Sequence, residues 1–273
     1  MEPVLMIALI LVGILAGVMG ALFGVGGGMV IVPILTIGFG LAAKDAVAIS
    51  LVGIVATSVG ASSVYVGKGI SNVKLGLFME VTTVFGAIVG VFIAMYVSNL
   101  AMTVVFSIVL VYSGYRMIVN SGKDVELTKE PGKYHMSYYD ETEKAYVGYN
   151  IHNLGKGAAI STVAGVIASM TGMGGGTIKV PVMNMYMDVP MKVATATSNY
   201  MIGITAFAGA ILYFVMGEVD LMFAGSVAVG GFVGSMLGTR ISAHINGKSL
   251  RKYFAVLLFV VAAIMLLNAG GSL

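Results

Sequence analysis

The sequence predicts an all-α integral membrane protein made of two inverted repeats, each of five helical segments and each opened by a glycine-tipped re-entrant or broken helix pair. Three observations carry that prediction. The 273-residue chain is 58% hydrophobic and only 10% charged, with a mean hydropathy of +0.99, which leaves too few polar side chains to cover a water-exposed surface. Its apolar segments are long and lack the alternation of barrel strands, so helices, which satisfy their own backbone in lipid, are the fitting form. Finally, Gly24-Val25-Gly26-Gly27-Gly28-Met29-Val30-Ile31-Val32-Pro33 returns 148 positions later as Gly172-Met173-Gly174-Gly175-Gly176-Thr177-Ile178-Lys179-Val180-Pro181, six of the ten positions being identical.

The apolar segments fall at 4–22, 28–40, 46–66, 74–97 and 101–119, then at 157–171, 177–187, 194–215, 221–241 and 251–268. Those at 46–66, 74–97 and 101–119 reach or approach the roughly 20 residues that span a hydrocarbon core, whereas 28–40 and 177–187 would rise only about 15 to 20 Å. The short arms predict re-entrant hairpins with their glycine tips inside the membrane, leaving three full spans per half. The stretch before them, Met1 to Phe23, has no basic n-region and no small-residue cleavage site, and is expected to be a retained helix rather than a signal peptide.

The duplication extends beyond the glycines. Ala16-Gly17-Val18 matches Ala164-Gly165-Val166, Lys44 matches Lys192, Ser50 matches Ser198, Tyr65 matches Tyr213, Gly69 matches Gly217, and Gly86 and Gly90 match Gly234 and Gly238. If each half crosses an odd net number of times, thirteen of the fifteen lysines and arginines share one side, leaving Lys44 outside and Lys179 within a segment. Eight spans would divide them about eight against six, so the positive-inside rule prefers the odd count, and an odd count inverts the second repeat. Both termini are then extracytoplasmic. The division is 1–119 for the first repeat, 120–155 for a cytoplasmic polar linker and 156–273 for the second repeat. The linker carries Tyr134, Tyr138, Tyr139, Tyr146 and Tyr149. It reads as a simple tie between repeats, or as a cap over the inner mouth, its aromatics hinting at ordered structure.

A helix restarting inside the membrane at Gly28 or Gly176 turns unpaired N–H groups and the positive end of its dipole toward the tip, which suits a small oxyanion. Gly24, Gly26, Gly27 and Gly28, with Gly172, Gly174, Gly175 and Gly176, are the candidate substrate-binding backbone, and close helix packing is the competing reading, the one that fits Gly86/Gly90 and Gly234/Gly238. Valine at Gly27 or Gly175 is expected to abolish binding in a protein that still folds. Lys179, where the first repeat has Ile31, is a fixed charge for an anionic substrate, or else a snorkelling lysine or a structural partner of Glu80. Glu80, replaced by Ala228 in the second repeat, is a candidate carrier of a coupling proton, or else a carboxylate reaching water near the cytoplasmic end. Ser50, Ser198 and Asn199 are further candidate ligands, and Thr36, Asn184, Thr195 and Thr197 lie near them in sequence. Ser and Thr also bond helix carbonyls, so of these only Ser50/Ser198 gains weight from the duplication.

Other chemistry is excluded. There is no cysteine, so thiol catalysis and cysteine-ligated metals are ruled out. The twenty methionines show no fixed ligand spacing. His135, His152 and His244 fall in predicted loops, and neither GxSxG nor a P-loop occurs. The net charge of +3 has no basic patch with interleaved aromatics, so no nucleic acid is expected. The expected partners are a small anion, the lipid bilayer and a coupling proton or ion, with no cofactor and no metal.

The twin GxGGG-x(4)-P signatures, in a chain of this length with two hydrophobic halves and a polar centre, resemble the TauE/SafE family of membrane transport proteins. The resemblance covers nearly all of the chain outside 120–155. It implies export of sulfite or small organosulfonates across a prokaryotic plasma membrane without ATP hydrolysis, and it nominates the eight tip glycines with Pro33 and Pro181. A rival class is an ion channel or cation carrier whose tip carbonyls face the pore.

Overall fold

The computed structural model describes residues 3–94, 96–98, 134–245 and 247–270, with positions 104, 107, 108, 110–112, 114, 115, 118 and 119 between them. The expected segment at 101–119 therefore lies partly outside the described residues, and its described positions are helical. The remaining helices are α1 (Pro3–Phe23), α2 (Gly28–Pro33), which continues as a π-helical turn over Ile34–Gly38, α3 (Ala43–Gly67), α4 (Val73–Ala94), α5 (Leu154–Thr171), α6 (Gly176–Tyr186), α7 (Met191–Val215), α8 (Leu221–Ala243) and α9 (Gly247–Gly270).

Six of these are long and apolar enough to cross a membrane: α1, Lys44–Gly67 of α3, α4, α5, α7 and α8. Their outward faces carry the bulky apolar side chains, with Val81 75% and Phe85 66% exposed, as a lipid-facing surface requires. The expectation of three full spans per half is not matched helix by helix. The first arms, α1 with 21 residues and α5 with 18, are themselves long enough to span. The second arms are not: α6 has 11 residues, a rise of about 16 Å.

Glycine decides which helices meet. Backbones can touch where no Cβ intervenes, and α1 lies against α8 while α5 lies against α4. The contacts repeat at the 148-residue offset. A side chain at Gly17 would strike the Gly231 carbonyl, and one at Gly165 would strike that of Thr83. Gly234 and Gly86 likewise face the carbonyls of Ile14 and Thr162, and Gly238 and Gly90 those of Val18 and Val166. Each half thus makes on the other the contacts that the other makes on it, and Gly86/Gly90 and Gly234/Gly238 are helix-packing glycines.

The fold is not purely helical. His135–Asp140 and Ala145–Asn150 form an antiparallel two-stranded hairpin, β1 and β2, paired from His135 opposite Asn150 to Asp140 opposite Ala145. Its strands, His135-Met136-Ser137-Tyr138-Tyr139-Asp140 and Ala145-Tyr146-Val147-Gly148-Tyr149-Asn150, are rich in tyrosine and flank the turn-forming run Glu141–Lys144. Tyr138 and Tyr149 pack edge to face and join the main buried core, and Tyr139 and Tyr146 meet edge to face on the other side. His135 consequently sits in a strand, not a loop.

Candidate functional site

The two glycine loops are the places where α1 and α5 stop and α2 and α6 begin. Gly27 caps α2 at φ 81° and Gly175 caps α6 at φ 70°, a left-handed conformation that a side chain strains. Gly24, Gly26, Gly172 and Gly174 also adopt positive φ, and Gly28 and Gly176 are the first helical residues. The loops lie against each other. A side chain on Gly28 would strike the Gly172 carbonyl oxygen, and one on Gly176 the Gly24 carbonyl oxygen.

Duplicated residues hold this junction. Ser50 of α3 donates to Gly172 O at 2.7 Å, and Ser198 of α7 donates to Gly24 O at 2.6 Å, so each half fastens the loop of the other. Ile54 and Ile202, again 148 apart and both fully buried, fill the space beside Gly26 and Gly174. Asn199 donates through Nδ2 to Ala21 O and Thr195 O, and its own carbonyl accepts from Ser58. Its Oδ1 has no hydrogen-bond partner although it is buried. Thr177, which follows Gly176 in the first turn of α6, is fully buried and its hydroxyl is also unpartnered. Buried polar groups are nearly always satisfied, so two exceptions next to the glycine loops are informative. Thr177 was missed by sequence reasoning, though its signal is visible: a polar residue follows the glycine run where the first repeat has Met29.

The valine test at Gly27 needs correction. A Cβ there would sit 2.5 Å from the Ala16 carbonyl oxygen, on a left-handed backbone, so Gly27→Val must displace main chain, and lost binding in that variant does not separate ligation from folding. At Gly175 the nearest atom would be Ala168 Cβ at 3.1 Å, a milder conflict on an equally unsuitable φ.

Lys179 and Glu80 form a buried ion pair. Lys179 Nζ lies 3.0 Å from Glu80 Oε2 and 3.1 Å from Thr205 Oγ1, and the Thr205 hydroxyl donates to Glu80 Oε1. Glu80 is 2% exposed and Lys179 is fully buried, so the expectation that Glu80 reaches water is overturned: α6 and α7 cover it. The matching positions are Ile31 and Thr57 in the first repeat, for Lys179 and Thr205, and Ala228 in the second, for Glu80; Ile31 packs in an apolar cluster with Ala224 and Val227. The other polar candidates serve the backbone. Thr36 bonds Val32 O, Thr195 bonds Met191 O, Thr197 accepts from the Asn72 N–H, and Asn184 Nδ2 reaches Val189 O.

The hairpin is fastened to the helix ends on its side of the molecule. Lys192 at the start of α7 lies 2.7 Å from Asp140 Oδ1 and also donates to Thr142 Oγ1, and Lys68 pairs with Glu141 at 2.8 Å. Asn72 Nδ2 donates to the Tyr149 hydroxyl. Burial works against the charge on Asp140, but hydrogen bonds from Lys192, the Thr142 N–H and Tyr138 outweigh it and hold the carboxyl below its usual range. Burial also pushes the Tyr149 phenol up to about 12, against the Asn72 bond.

A sulfite exporter TauE/SafE family model matches residues 9–265, which takes in both glycine loops and every helix around them. The chain belongs to the TauE/SafE family. Curated relatives match over most of their length: the probable membrane transporter protein YunE of Bacillus subtilis is 25% identical over 93% of this chain and 95% of its own. A probable membrane transporter protein of Haemophilus influenzae is 26% identical over 94% of each chain, and one of Methanocaldococcus jannaschii 25% over 95% of this chain and 94% of its own. No solved structure matches the chain. With its six candidate spans, this TauE/SafE member is a multi-pass membrane transporter.

Proposed function

We propose that the protein exports a small sulfur-containing anion, sulfite or an organosulfonate, as a secondary transporter with alternating access around the two glycine loops. The observation that carries this reading is the unpartnered Thr177 hydroxyl, buried in the first turn of α6 beside the left-handed cap Gly175. A hydroxyl and free helix N–H groups at one place are donors without acceptors, which an oxyanion supplies. The substrate ligands are the N–H groups of Gly26, Gly27, Gly28, Gly174, Gly175 and Gly176, the Thr177 hydroxyl and, after rearrangement, Ser50, Ser198 and Asn199, while the Gly24 and Gly172 N–H groups stay bonded to Gly20 O and Ala168 O. The arrangement described above, with the loops in contact and Ile54 and Ile202 between them, is then a closed state of the cycle, and binding parts the loops.

In this reading residues 1–119 and 156–273 are the two repeats, inverted relative to each other, and 120–155 is cytoplasmic with both termini outside a prokaryotic plasma membrane. The reciprocal contacts at the 148-residue offset support a two-fold relation between the halves, and the lysine and arginine distribution supports the inversion. Glu80 carries the coupling proton. Protonating it would release Lys179 to face substrate, an asymmetry that the apolar Ile31 and Ala228 positions do not offer. The cation reading has less support, since the Gly24 and Gly172 carbonyls already accept from Ser198 and Ser50.

The test is thermal stability of the detergent-purified protein across sulfite, sulfate, thiosulfate, sulfoacetate, taurine, chloride and monovalent cations, because a ligand of the native state raises the midpoint. A shift with sulfite or sulfonates supports the reading. A shift with cations alone overturns it in favour of carbonyl ligands.

A further inference from the structure

Among the described residues, a small cleft beside the hairpin is a feature that the glycine loops leave unexplained. It is lined by Tyr65, Lys68, Tyr138, Asp140, Lys192 and Thr239 among others. Two cations and two carboxylates meet there, and both carboxylates, Asp140 and Glu141, come from the hairpin. The cations belong to the membrane helices. Lys192 is only 8% exposed, and both of its hydrogen-bond acceptors, Asp140 and Thr142, are hairpin groups. Lifting the hairpin takes both acceptors from Lys192 at once and leaves its ammonium to water or to a replacement anion.

Hydrogen bonds tie the cleft wall to the helix end that carries the first glycine loop. Tyr65, on that wall, donates to Ala21 O at 3.0 Å, and the same carbonyl accepts from Asn199 Nδ2 at 3.0 Å. The duplication adds an independent observation. Lys192 opens α7 six residues before Ser198, and its counterpart Lys44 opens α3 six residues before Ser50. Lys44 is exposed to solvent, while Lys192 is sealed beneath the hairpin. Equivalent lysines thus stand at the head of the two helices that reach the loops, and only one is covered.

We infer that Lys192, with Lys68 beside it, is the entry subsite for small anions at the hairpin-side mouth, and that Asp140 and Glu141 occupy it as displaceable stand-ins for the ligand. This rests on the anion reading above for the identity of the ligand, though not for the displacement of the hairpin. An incoming sulfonate takes over the charge-assisted bonds of Lys192, the hairpin moves off, and the cleft beside Tyr65 opens. When the anion is scarce the carboxylates return and close the mouth.

The absence of cysteine makes the test direct. Thr239→Cys places one thiol in the cleft of the full chain, and its rate of modification by a neutral maleimide reports whether the hairpin is seated. Sulfoacetate is the probe, because sulfite would itself consume the maleimide. In proteoliposomes sulfoacetate should speed labelling by about tenfold relative to chloride at equal ionic strength, as loss of charge-assisted bonds would give. Asp140→Asn with Glu141→Gln should reach that rate without any probe. Lys192→Met paired with Asp140→Asn should abolish the response to sulfoacetate, and Lys192→Arg should keep it. Labelling in Asp140→Asn/Glu141→Gln that stays at the parent rate, or a sulfoacetate response that survives Lys192→Met, overturns the inference. Should these labelling results hold while no sulfite or sulfonate flux is found, the entry subsite stands and the export reading falls.

Discussion

Thr177→Val removes one hydroxyl from the first turn of α6 and keeps the side-chain shape. Because that hydroxyl is buried without a partner, the ligand-free protein bears its desolvation cost, about 1–3 kcal/mol for such a group. Valine should therefore stabilise the empty protein, by up to about that amount. With sulfite bound the balance reverses. The wild-type hydroxyl donates to an anion, a bond worth about 1.5–3 kcal/mol, so the variant should bind about tenfold to a hundredfold more weakly. Both signs are read in one experiment, the apparent unfolding midpoint of purified wild type and variant against sulfite concentration. The expected result is a higher midpoint without sulfite and a dissociation constant raised at least tenfold. A lower ligand-free midpoint, or an unchanged dependence on sulfite, would make Thr177 a packing residue and refute its place in the site.

Further predictions follow from other parts of the structure. Glu80→Gln or Lys179→Met alone strands a charge and should cost about 3–5 kcal/mol, while Glu80→Leu with Lys179→Met, which imitates the apolar counterpart positions Ala228 and Ile31, should come close to wild-type stability in thermal unfolding and lose any proton dependence of transport. Ile202→Ala or Ile54→Ala should cost about 2–5 kcal/mol through the cavity each leaves, and passive leak of small anions from proteoliposomes should rise, since these side chains fill the space between the loops. Asp140 has its carboxyl held below the usual range by Lys192, Thr142 and Tyr138. Its contribution to seating the hairpin is thus full above the unfolded value of about 4 and is lost as the pH falls through the folded value. Amide exchange of β1 and β2, corrected for intrinsic rates, should stay slow from pH 7 to 5 and speed up only at lower pH. In Asp140→Asn it should be fast throughout, with Lys68–Glu141 the remaining ion pair.

Much of the membrane framework is legible in the sequence because it rests on local chemistry. Helix starts at Gly28 and Gly176 follow from the glycine runs, and the long apolar segments map onto α1, α3, α4, α5, α7 and α8 within a few residues. The duplication also foretells pairs that meet only in space, since Ser50 and Ser198 act as equivalents on opposite loops. What is not legible depends on long-range partners. The sequence offers Glu80 as one partner for Lys179 among several roles, and only the fold, which brings the two together across 99 residues, selects it. The linker sequence likewise does not show that Asp140 will find Lys192, because tyrosine-rich strands carry no mark of their dock. The tip glycines carry two meanings at once. A free φ and a close approach are needed both to pack loop on loop and to cradle an anion, and composition alone does not separate them.

The most direct test of transport by alternating access is counterflow. Proteoliposomes preloaded with unlabelled sulfite are diluted into a trace of radiolabelled sulfite, and the label inside is followed with time. A single site that faces one side at a time makes the internal label rise above its equilibrium level and then decay, with an initial rate that saturates in sulfite. A label that climbs only to equilibrium, with flux linear in concentration and shared by monovalent cations, would contradict it and describe a channel.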